Sequence, residues 1–426
     1  QKKQPEKNAR VMTKDLRHAD DFDRGPNASK DMTKDLRHAD DFDRSPNASK
    51  DLRHADDFDR GPNASKDLRH ADDFDRGPNA SKEPSEFDFT HKLHSISQHL
   101  EEVHDHDGHS RCVFSIAFHP DGQHALTGSA DKSAKLWSYH TRHVIHTFHT
   151  HEQWVQGVAF ANKKMMVATG SDDKYVRIWE HDDNASSLAE GWSLRAELGR
   201  LHDPVHAHLL GALSVAFDPN DDFLVSGSAD TSVKLWRIND KEMAHEMSGH
   251  LDWVSKVAYS PDGMIVASSS YDETVKLWRV SDGDEILTCE GHENFVSCVS
   301  WCPPDGDKIV TSSGDYTVRI WQVKDGANQV LPEAKCLRTM YGHRGWVLSC
   351  AFSPMADRIA TASADKTVIL WDPVSFQAVD RIFLSDWVEG CAFVPKRYLA
   401  DELVTVGHFV DAISWDVSSE AAARKG

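Results

Sequence analysis

Four residue types recur together along most of the sequence. A histidine, a hydroxyl residue, an aspartate and a tryptophan return in that order six times, with the hydroxyl residue ten positions and the aspartate six positions before the tryptophan. A histidine, a hydroxyl and a carboxylate are also the parts of a Ser-His-Asp hydrolase. The six sets are His109, Thr127, Asp131 and Trp137; His151, Thr169, Asp173 and Trp179; His208, Ser226, Asp230 and Trp236; His250, Ser268, Asp272 and Trp278; His292, Thr311, Asp315 and Trp321; and His343, Thr361, Asp365 and Trp371.

The repetition of these sets favours a structural role over catalysis. Four of the six use threonine in place of serine, and one active site does not need six copies. The sequence also lacks a P-loop, an HExxH motif, a GxSxG motif in a strand-to-helix setting and a dinucleotide-binding fingerprint. We therefore predict that the protein is not an enzyme and that it uses no cofactor.

Histidines outside these sets raise a second chemical possibility, metal binding. They cluster at His104, His106 and His109, and again at His143, His146, His149 and His151. Such clusters can bind zinc, so a metal-binding protein that uses this His-rich edge is an alternative of another class. However, His109 and His151 already belong to the repeated sets, and a spacing of three does not keep side chains on one face of a strand. The sequence predicts no metal site.

Short strands must position the repeated residues. The stretch VSKVAYSPDGMIVASSSYDETVKLWRV alternates apolar and polar residues and is interrupted by Pro-Asp-Gly and Tyr-Asp-Glu turns. The tryptophans that close the units, from Trp137 to Trp415, are 42, 57, 42, 43, 50 and 44 residues apart. A unit of this length with three to four short strands predicts a four-stranded sheet repeated seven times.

With these anchors, residues 91–417 resemble a WD-repeat β-propeller. The cadence of Gly-His, Ser-Pro-Asp-Gly, Ser-x-Ser-x-Asp and Val-Lys-Leu-Trp carries the resemblance. It implies an all-β, seven-bladed WD-repeat β-propeller in which the aspartate orients the histidine, the histidine bonds the hydroxyl, and the hydroxyl meets the indole N–H. The seventh unit departs from the pattern, because Leu384 holds the histidine position and Phe409 the aspartate position. We expect residues 92–103 to supply the last strand of blade seven.

Residues that the blade scaffold does not need are the candidates for partner binding. Three positions after the repeat histidine an aromatic residue recurs, which the resemblance puts at the top rim of the channel. Tyr271 stands directly before the tight-turn aspartate, where most blades have a small residue. The predicted partner site on this top face comprises Trp154, Trp253, Tyr271, Phe295, Trp346 and Trp387. Packing between blades is the alternative role for these rings.

The first 90 residues differ in composition from the remainder. A 16-residue unit, KDLRHADDFDRGPNAS, recurs there in four copies, each offering only Leu, Ala and Phe to a core. We predict a disordered, low-complexity tandem-repeat tail over 1–90, and a short stub over 418–426. Four copies of one motif could also act as a multivalent ligand.

Charge limits the classes of partner. The chain carries 48 basic and 68 acidic residues, a net charge of -20, which argues against nucleic acid and anionic membranes as partners. We expect basic or apolar peptide segments of other proteins as partners, and a monomeric propeller within a larger complex. Seven scattered cysteines favour a reducing compartment, cytoplasmic or nuclear. The predicted function is a non-catalytic protein–protein interaction scaffold; the alternative is a substrate or cargo receptor subunit of an enzyme or motor complex.

Overall fold

Short runs rich in β-branched residues, separated by tight turns, give the described part of the chain an almost entirely β structure. The computed structural model describes residues 108–149, 151–200, 202–324, 333–395, 402–408 and 413–417. Within these residues there are 27 strands and one short 3-10 helix, Pro204–His206. The described residues contain no helix long and apolar enough to cross a membrane. The predicted tail, 1–90, and the stub, 418–426, lie outside the described residues.

The strands follow one another as seven antiparallel meanders, which we call blades one to seven. Blades one to four are β1 Val113–Phe118, β2 His124–Ser129, β3 Ala134–Ser138, β4 Val144–Phe148; β5 Val155–Phe160, β6 Met166–Ser171, β7 Val176–His181, β8 Trp192–Leu198; β9 Ala212–Phe217, β10 Phe223–Ser228, β11 Val233–Arg237, β12 Met243–Met247; and β13 Val254–Tyr259, β14 Ile265–Ser270, β15 Val275–Arg279, β16 Glu285–Cys289. Blades five to seven are β17 Val296–Trp301, β18 Lys308–Ser313, β19 Thr317–Lys324, β20 Glu333–Tyr341; β21 Val347–Phe352, β22 Ile359–Ser363, β23 Thr367–Trp371, β24 Ala378–Phe383; and β25 Val388–Phe393, β26 Glu402–Gly407, β27 Ile413–Asp416.

The first strand of each blade lies innermost, and the seven inner strands form a ring. Consecutive inner strands contact one another, and β1 contacts β25, so the ring closes between blades one and seven. Blades one to six have four strands each, and blade seven has three within the described residues. The fourth strand predicted for blade seven, from residues 92–103, lies outside them. The prediction of an all-β, seven-bladed propeller is confirmed.

The hydrophobic core lies between blades rather than inside one sheet. Six clusters of buried residues each combine two consecutive blades. Between blades two and three, for example, Ile178 and Leu198 pack with Val215 and Trp236, all at most 3% exposed. Each blade is therefore held by its neighbours, and the position of every loop at the ends of the ring depends on this packing.

One insertion differs from the sequence prediction. The longer tryptophan spacings of 57 and 50 residues predict inserted surface loops over residues 181–207 and 324–335, but Trp192–Leu198 within the first of them is the outer strand β8. The loop is therefore restricted to the residues on either side of that strand. The second predicted loop, 324–335, lies mostly outside the described residues, and its two ends belong to β19 and β20.

Candidate functional site

The repeated histidine sets form the hydrogen-bonded unit inside each blade. In blade four, His250 Nδ1 lies 2.8 Å from Asp272, His250 Nε2 lies 2.7 Å from Ser268 Oγ, and Trp278 Nε1 donates to that hydroxyl at 2.7 Å. This order fits a neutral imidazole that donates from Nδ1 and accepts at Nε2. All six sets have the histidine contacts, at 2.8–3.1 Å to the aspartate and 2.7–2.8 Å to the hydroxyl.

The aspartates of these sets are held ionised. Burial opposes the charged form, but hydrogen bonds from the histidine and from neighbouring hydroxyl, guanidinium or backbone groups outweigh it, so the pKa of each aspartate lies well below its ordinary range. The hydroxyl is at most 2% exposed in every set. A buried hydroxyl already bonded to histidine is arranged to connect strands rather than to attack a substrate.

Blade two departs from the predicted network. Trp179 Nε1 is buried without a hydrogen-bond partner, whereas the corresponding indoles of blades one and three to six donate at 2.7–3.0 Å. The buried Arg177 contacts His151 and bonds Asp173 at 2.8 Å and Glu197 at 2.8 Å. The expectation that all six sets include the indole bond is therefore wrong for blade two.

The candidate binding residues lie at one end of the ring, which we call the upper rim: the end at which the inner strands begin. Two positions meet there in every blade, the residue before the inner strand and the residue after the second strand. In all seven blades, the backbone N–H of the residue after the second strand donates to the carbonyl of the residue before the inner strand at 2.9–3.2 Å. This hydrogen bond holds the two positions side by side in every blade. Their side chains differ from blade to blade.

Aromatic side chains at these positions form a continuous row, which we call the aromatic arc. Its consecutive ring centroids are 4.7–6.1 Å apart, and it runs through blades four to seven. In order, the arc consists of Trp253, Tyr271, Phe295, Trp346, Trp387 and His408. The first five rings are half-buried and His408 is exposed. The structure thus brings together five of the six residues that the sequence singled out.

Tyr271 is at the tightest contact of the arc. Its ring stacks on Phe295 at 4.7 Å and 22° and lies 5.5 Å from Trp253 on the other side. Burial, followed by the nearby carboxylates of Glu389 and Asp252, raises the pKa of Tyr271 to about 12. It is thus a neutral, half-buried ring held between two others, rather than one standing clear of the surface, and its role in partner contact stays a prediction.

The remaining blades place other residues at the upper rim. Trp154 of blade two packs on Phe114 of blade one at 5.6 Å. In blade three Gly211 occupies the aromatic position, and a Cβ there would lie 2.7 Å from Asp172 Oδ1. Burial and the neighbouring Asp173 raise the pKa of Asp172 to about 6. The rim therefore has an aromatic side and a polar side.

Comparison with known proteins identifies the fold family. The family described as "WD domain, G-beta repeat" matches residues 100–138, 142–180, 200–237, 241–279, 283–322 and 334–372, together more than half of the chain. The chain is a WD-repeat protein. The family match and the seven blades together confirm the resemblance seen in the sequence.

Individual relatives share only short stretches with this WD-repeat protein. It is 40% identical over 62 residues to a guanine nucleotide-binding protein subunit beta of Arabidopsis thaliana, covering 14% of the chain and 16% of that protein. It is 43% identical over 54 residues to Striatin-4 of Homo sapiens, 12% of the chain and 7% of that protein. Over 72 residues it is 36% identical to Telomerase protein component 1 of Mus musculus, covering 16% of the chain and 3% of that protein. The matches thus span less than a fifth of each relative.

Metal-ligating atoms come together at two places in the described part of the WD-repeat propeller, and neither is a histidine cluster noted in the sequence. Cys112, Glu389 and His408 form one group, and His119, Asp121 and His124 form the other; in each, the ligand atoms lie within 4.8 Å of one another. Of the clusters noted in the sequence, His104 and His106 lie outside the described residues, and His109 and His151 are engaged with their aspartates.

The Cys112 group lies on the upper rim beside the end of the aromatic arc. His408 Nε2 is 3.0 Å from Glu389 Oε1, and its ring is 5.1 Å from that of Trp387. Burial and the carboxylates of Glu389 and Asp386 raise the pKa of the Cys112 thiol. Sequence reasoning missed Glu389 and His408. His408 stands three positions after Thr405, as Tyr271 does after Ser268, and that spacing was the available signal.

Proposed function

We propose that this protein is a scaffold that binds a peptide segment of a partner protein across the aromatic arc. WD-repeat propellers are typical protein-interaction scaffolds. The observation that carries the proposal is the arc itself: half-buried rings, in contact through four consecutive blades, at rim positions where blades one and three have Cys112 and Gly211. Because those blades fold without a ring there, the blade scaffold does not require the aromatic residues.

The chemistry of the rim favours a segment that combines an apolar and a basic side chain. Aromatic rings with one edge exposed supply apolar contact area and attract cations to their faces. Glu389 and Asp252 are close enough to Tyr271 to raise its pKa, and Asp172 lies across the rim. A lysine or arginine next to an aromatic or aliphatic residue would satisfy both features, and the net charge of -20 would favour its approach.

A second surface supports the alternative of a substrate or cargo receptor subunit. Tyr341 and Phe383, at the ends of the outer strands of blades five and six, are 76% and 63% exposed. Large exposed apolar side chains on neighbouring blades are typical of a contact surface. A receptor would use the arc for one partner and this outer surface for another.

Selection from a library of short random peptides, displayed against the purified full-length chain, tests the proposal. We expect enriched peptides to carry Lys or Arg beside an apolar residue and to bind at least about tenfold more weakly to Tyr271→Ala and Trp346→Ala. Tyr271→Ala should fold, because Ala130, Ala229 and Ala364 hold the same position in other blades. Met264→Ala, which removes an exposed apolar side chain from the turn between β13 and β14 at the opposite end of the ring, is the control. Peptides that bind both arc variants as tightly as the unaltered chain would refute the arc as the binding surface.

A further inference from the structure

The group formed by Cys112, Glu389 and His408 spans the closure of the ring. Cys112 directly precedes β1 of blade one, Glu389 lies in β25, and His408 directly follows β26, both of blade seven. Because β1 contacts β25, residues nearly 300 positions apart in the chain become neighbours at the upper rim. An ion bound by all three would link the first described blade to the last.

None of the three residues is required by the blade at its position. Cys112 stands where Trp154, Trp253, Phe295, Trp346 and Trp387 stand in other blades, and His408 stands where Ala130, Ala229 and Ala364 stand. Glu389 is the second residue of its inner strand, a position held by Phe114, Gln156, Leu213, Ser255, Ser297 and Leu348 in the other blades. Three independent departures from the repeat therefore meet at one point.

The chemistry of this donor set suits zinc. Zinc binds cysteine sulfur at about 2.3 Å and histidine nitrogen and carboxylate oxygen at about 2.0–2.2 Å, commonly with three protein ligands and one open position. The three ligand atoms already lie within 4.8 Å of one another, and the His408 to Glu389 distance is 3.0 Å. Ligand atoms of a tetrahedral zinc site with bonds of about 2.0–2.3 Å are about 3.3–3.8 Å apart, which is close to these separations. Solvent reaches the group, because the His408 side chain is 37% and the Glu389 side chain 20% exposed.

We infer that Cys112, Glu389 and His408 bind a zinc ion at the upper rim, across the closure of the ring. On binding, the Cys112 thiol gives its proton to solvent and forms a zinc–sulfur bond, while neutral His408 and the Glu389 carboxylate donate electron pairs. One thiolate and one carboxylate neutralise the two charges of the ion. Three protein ligands leave the fourth position open for water. Because His408 is also the last ring of the aromatic arc, a side chain of a segment bound on the arc would lie next to that position.

The second group, His119, Asp121 and His124, supplies the competing explanation for any metal uptake. It lies in the turn between β1 and β2, at the opposite end of the ring, with Nδ1 of His119 and His124 3.0 and 2.8 Å from Asp121 Oδ2. The same turn in blade four forms with Ser260, Asp262 and Ile265. His119→Ser therefore removes this group by a residue that the turn already accepts.

The test uses the untagged, purified full-length chain with Zn²⁺ or Co²⁺ alone. Co²⁺ bound to a thiolate gives a near-ultraviolet charge-transfer band, which histidine and carboxylate ligands do not give. We expect about one zinc per chain after dialysis and this band with cobalt. Cys112→Gly should abolish the band, and His408→Ala and Glu389→Gln should each weaken zinc binding at least about a hundredfold. His119→Ser should leave both readouts unchanged.

The variants copy residues found at the same positions elsewhere in the propeller: Gly211, Ala130 and Gln156. Circular dichroism spectra equal to that of the unaltered chain establish that each variant is folded, and Cys112→Ser serves as a second thiol-free variant. Absence of the cobalt band in the unaltered chain, its persistence in both Cys112 variants, or loss of zinc in His119→Ser but not in His408→Ala would each overturn the inference. Neither readout needs a peptide, so the result is independent of the proposed function.

Discussion

Asp172 shows how one residue at the upper rim acquires its properties from a neighbouring blade. It occupies the same position in blade two as Tyr271 in blade four, directly before the tight-turn aspartate. Gln156 Nε2 donates to it at 3.2 Å, and Gly211 of blade three leaves the space that its carboxyl fills. The sequence pattern identifies the position before the tight-turn aspartate. The burial that raises the pKa of Asp172 to about 6 depends on packing against blade three, which the pattern within one blade does not predict.

Replacement of this carboxyl by an amide should stabilise the protein at neutral pH. The pKa of Asp172 is raised in the folded protein from an ordinary 3.8 to about 6, so the folded state binds more protons between these values and stability falls as the pH rises through them. Above pH 6 the folded chain has to carry a half-buried carboxylate. We expect the free energy of unfolding of Asp172→Asn to exceed that of the unaltered chain by about 1–2 kcal/mol at pH 7 and to equal it near pH 4.

Urea unfolding at the two pH values measures this difference. Asp282→Asn, which alters an exposed aspartate of the turn between β15 and β16, is the control and should show no such gain at pH 7. A gain for Asp172→Asn that is the same at pH 4 and pH 7 would mean that ionisation is not its cause.

At the scale of the element, blade two shows the limit of a repeat pattern. The sequence predicted the strands of blade two and its histidine set, and the structure contains those strands. It did not predict that Arg177 enters the set, because basic residues occupy the same position in other blades, as Lys135 and Lys276 do. What differs is a buried carboxylate opposite in the outer strand: Glu197 faces Arg177 and is buried, whereas Thr147 faces Lys135, and Glu246, which faces Lys234 in blade three, is exposed. That register depends on the insertion before β8, whose length the repeat does not set.

Removal of the Arg177 guanidinium should destabilise the protein, because the buried Glu197 then keeps only the exposed Arg200, at 3.6 Å, as its cation. The side chains of Arg177 and Glu197 are both buried, and their ion pair is 2.5 Å long. We expect Arg177→Ile, the residue found at the same position in blade six as Ile369, to lower the free energy of unfolding by about 3–5 kcal/mol. The added change Glu197→Thr should recover a large part of the loss, because the buried carboxylate is then absent.

Urea unfolding of the single and double variants measures the coupling. Arg319→Ile, at the same position in blade five, is the matched control: Thr339 faces it in the outer strand, so no buried carboxylate is left behind and the loss should be smaller. If Arg177→Ile with Glu197→Thr is no more stable than Arg177→Ile alone, the ion pair does not account for the loss.

At the scale of the whole molecule, the tryptophan spacing was sufficient to predict seven blades, because each blade repeats one local pattern. The composition of the upper rim was predicted only in part. Five rings of the aromatic arc were found in the sequence from two local positions. Trp253, Phe295, Trp346 and Trp387 stand three residues after the repeat histidine or after Leu384, its equivalent in blade seven, and Tyr271 stands directly before the tight-turn aspartate. The group of Cys112, Glu389 and His408 was not, because only closure of the ring brings blade one against blade seven.

Closure itself can be tested at Gly122, in the turn between β1 and β2. Gly122 has φ +69°, and a Cβ there would overlap the carbonyl oxygen of Pro395 in blade seven. Gly263 holds the same place in blade four with φ +75°, but its Cβ would meet only the side chain of Pro219, with Cδ at 3.0 Å and Cγ at 3.5 Å. Alanine at either position costs about 1–2 kcal/mol for its left-handed backbone. Gly122→Ala should cost about 1–3 kcal/mol more, because it also separates the two blades. Urea unfolding gives the difference, and hydrogen exchange should show faster opening of β1 and β25 in Gly122→Ala alone. Equal losses for the two variants would mean that the contact with Pro395 does not hold the ring closed.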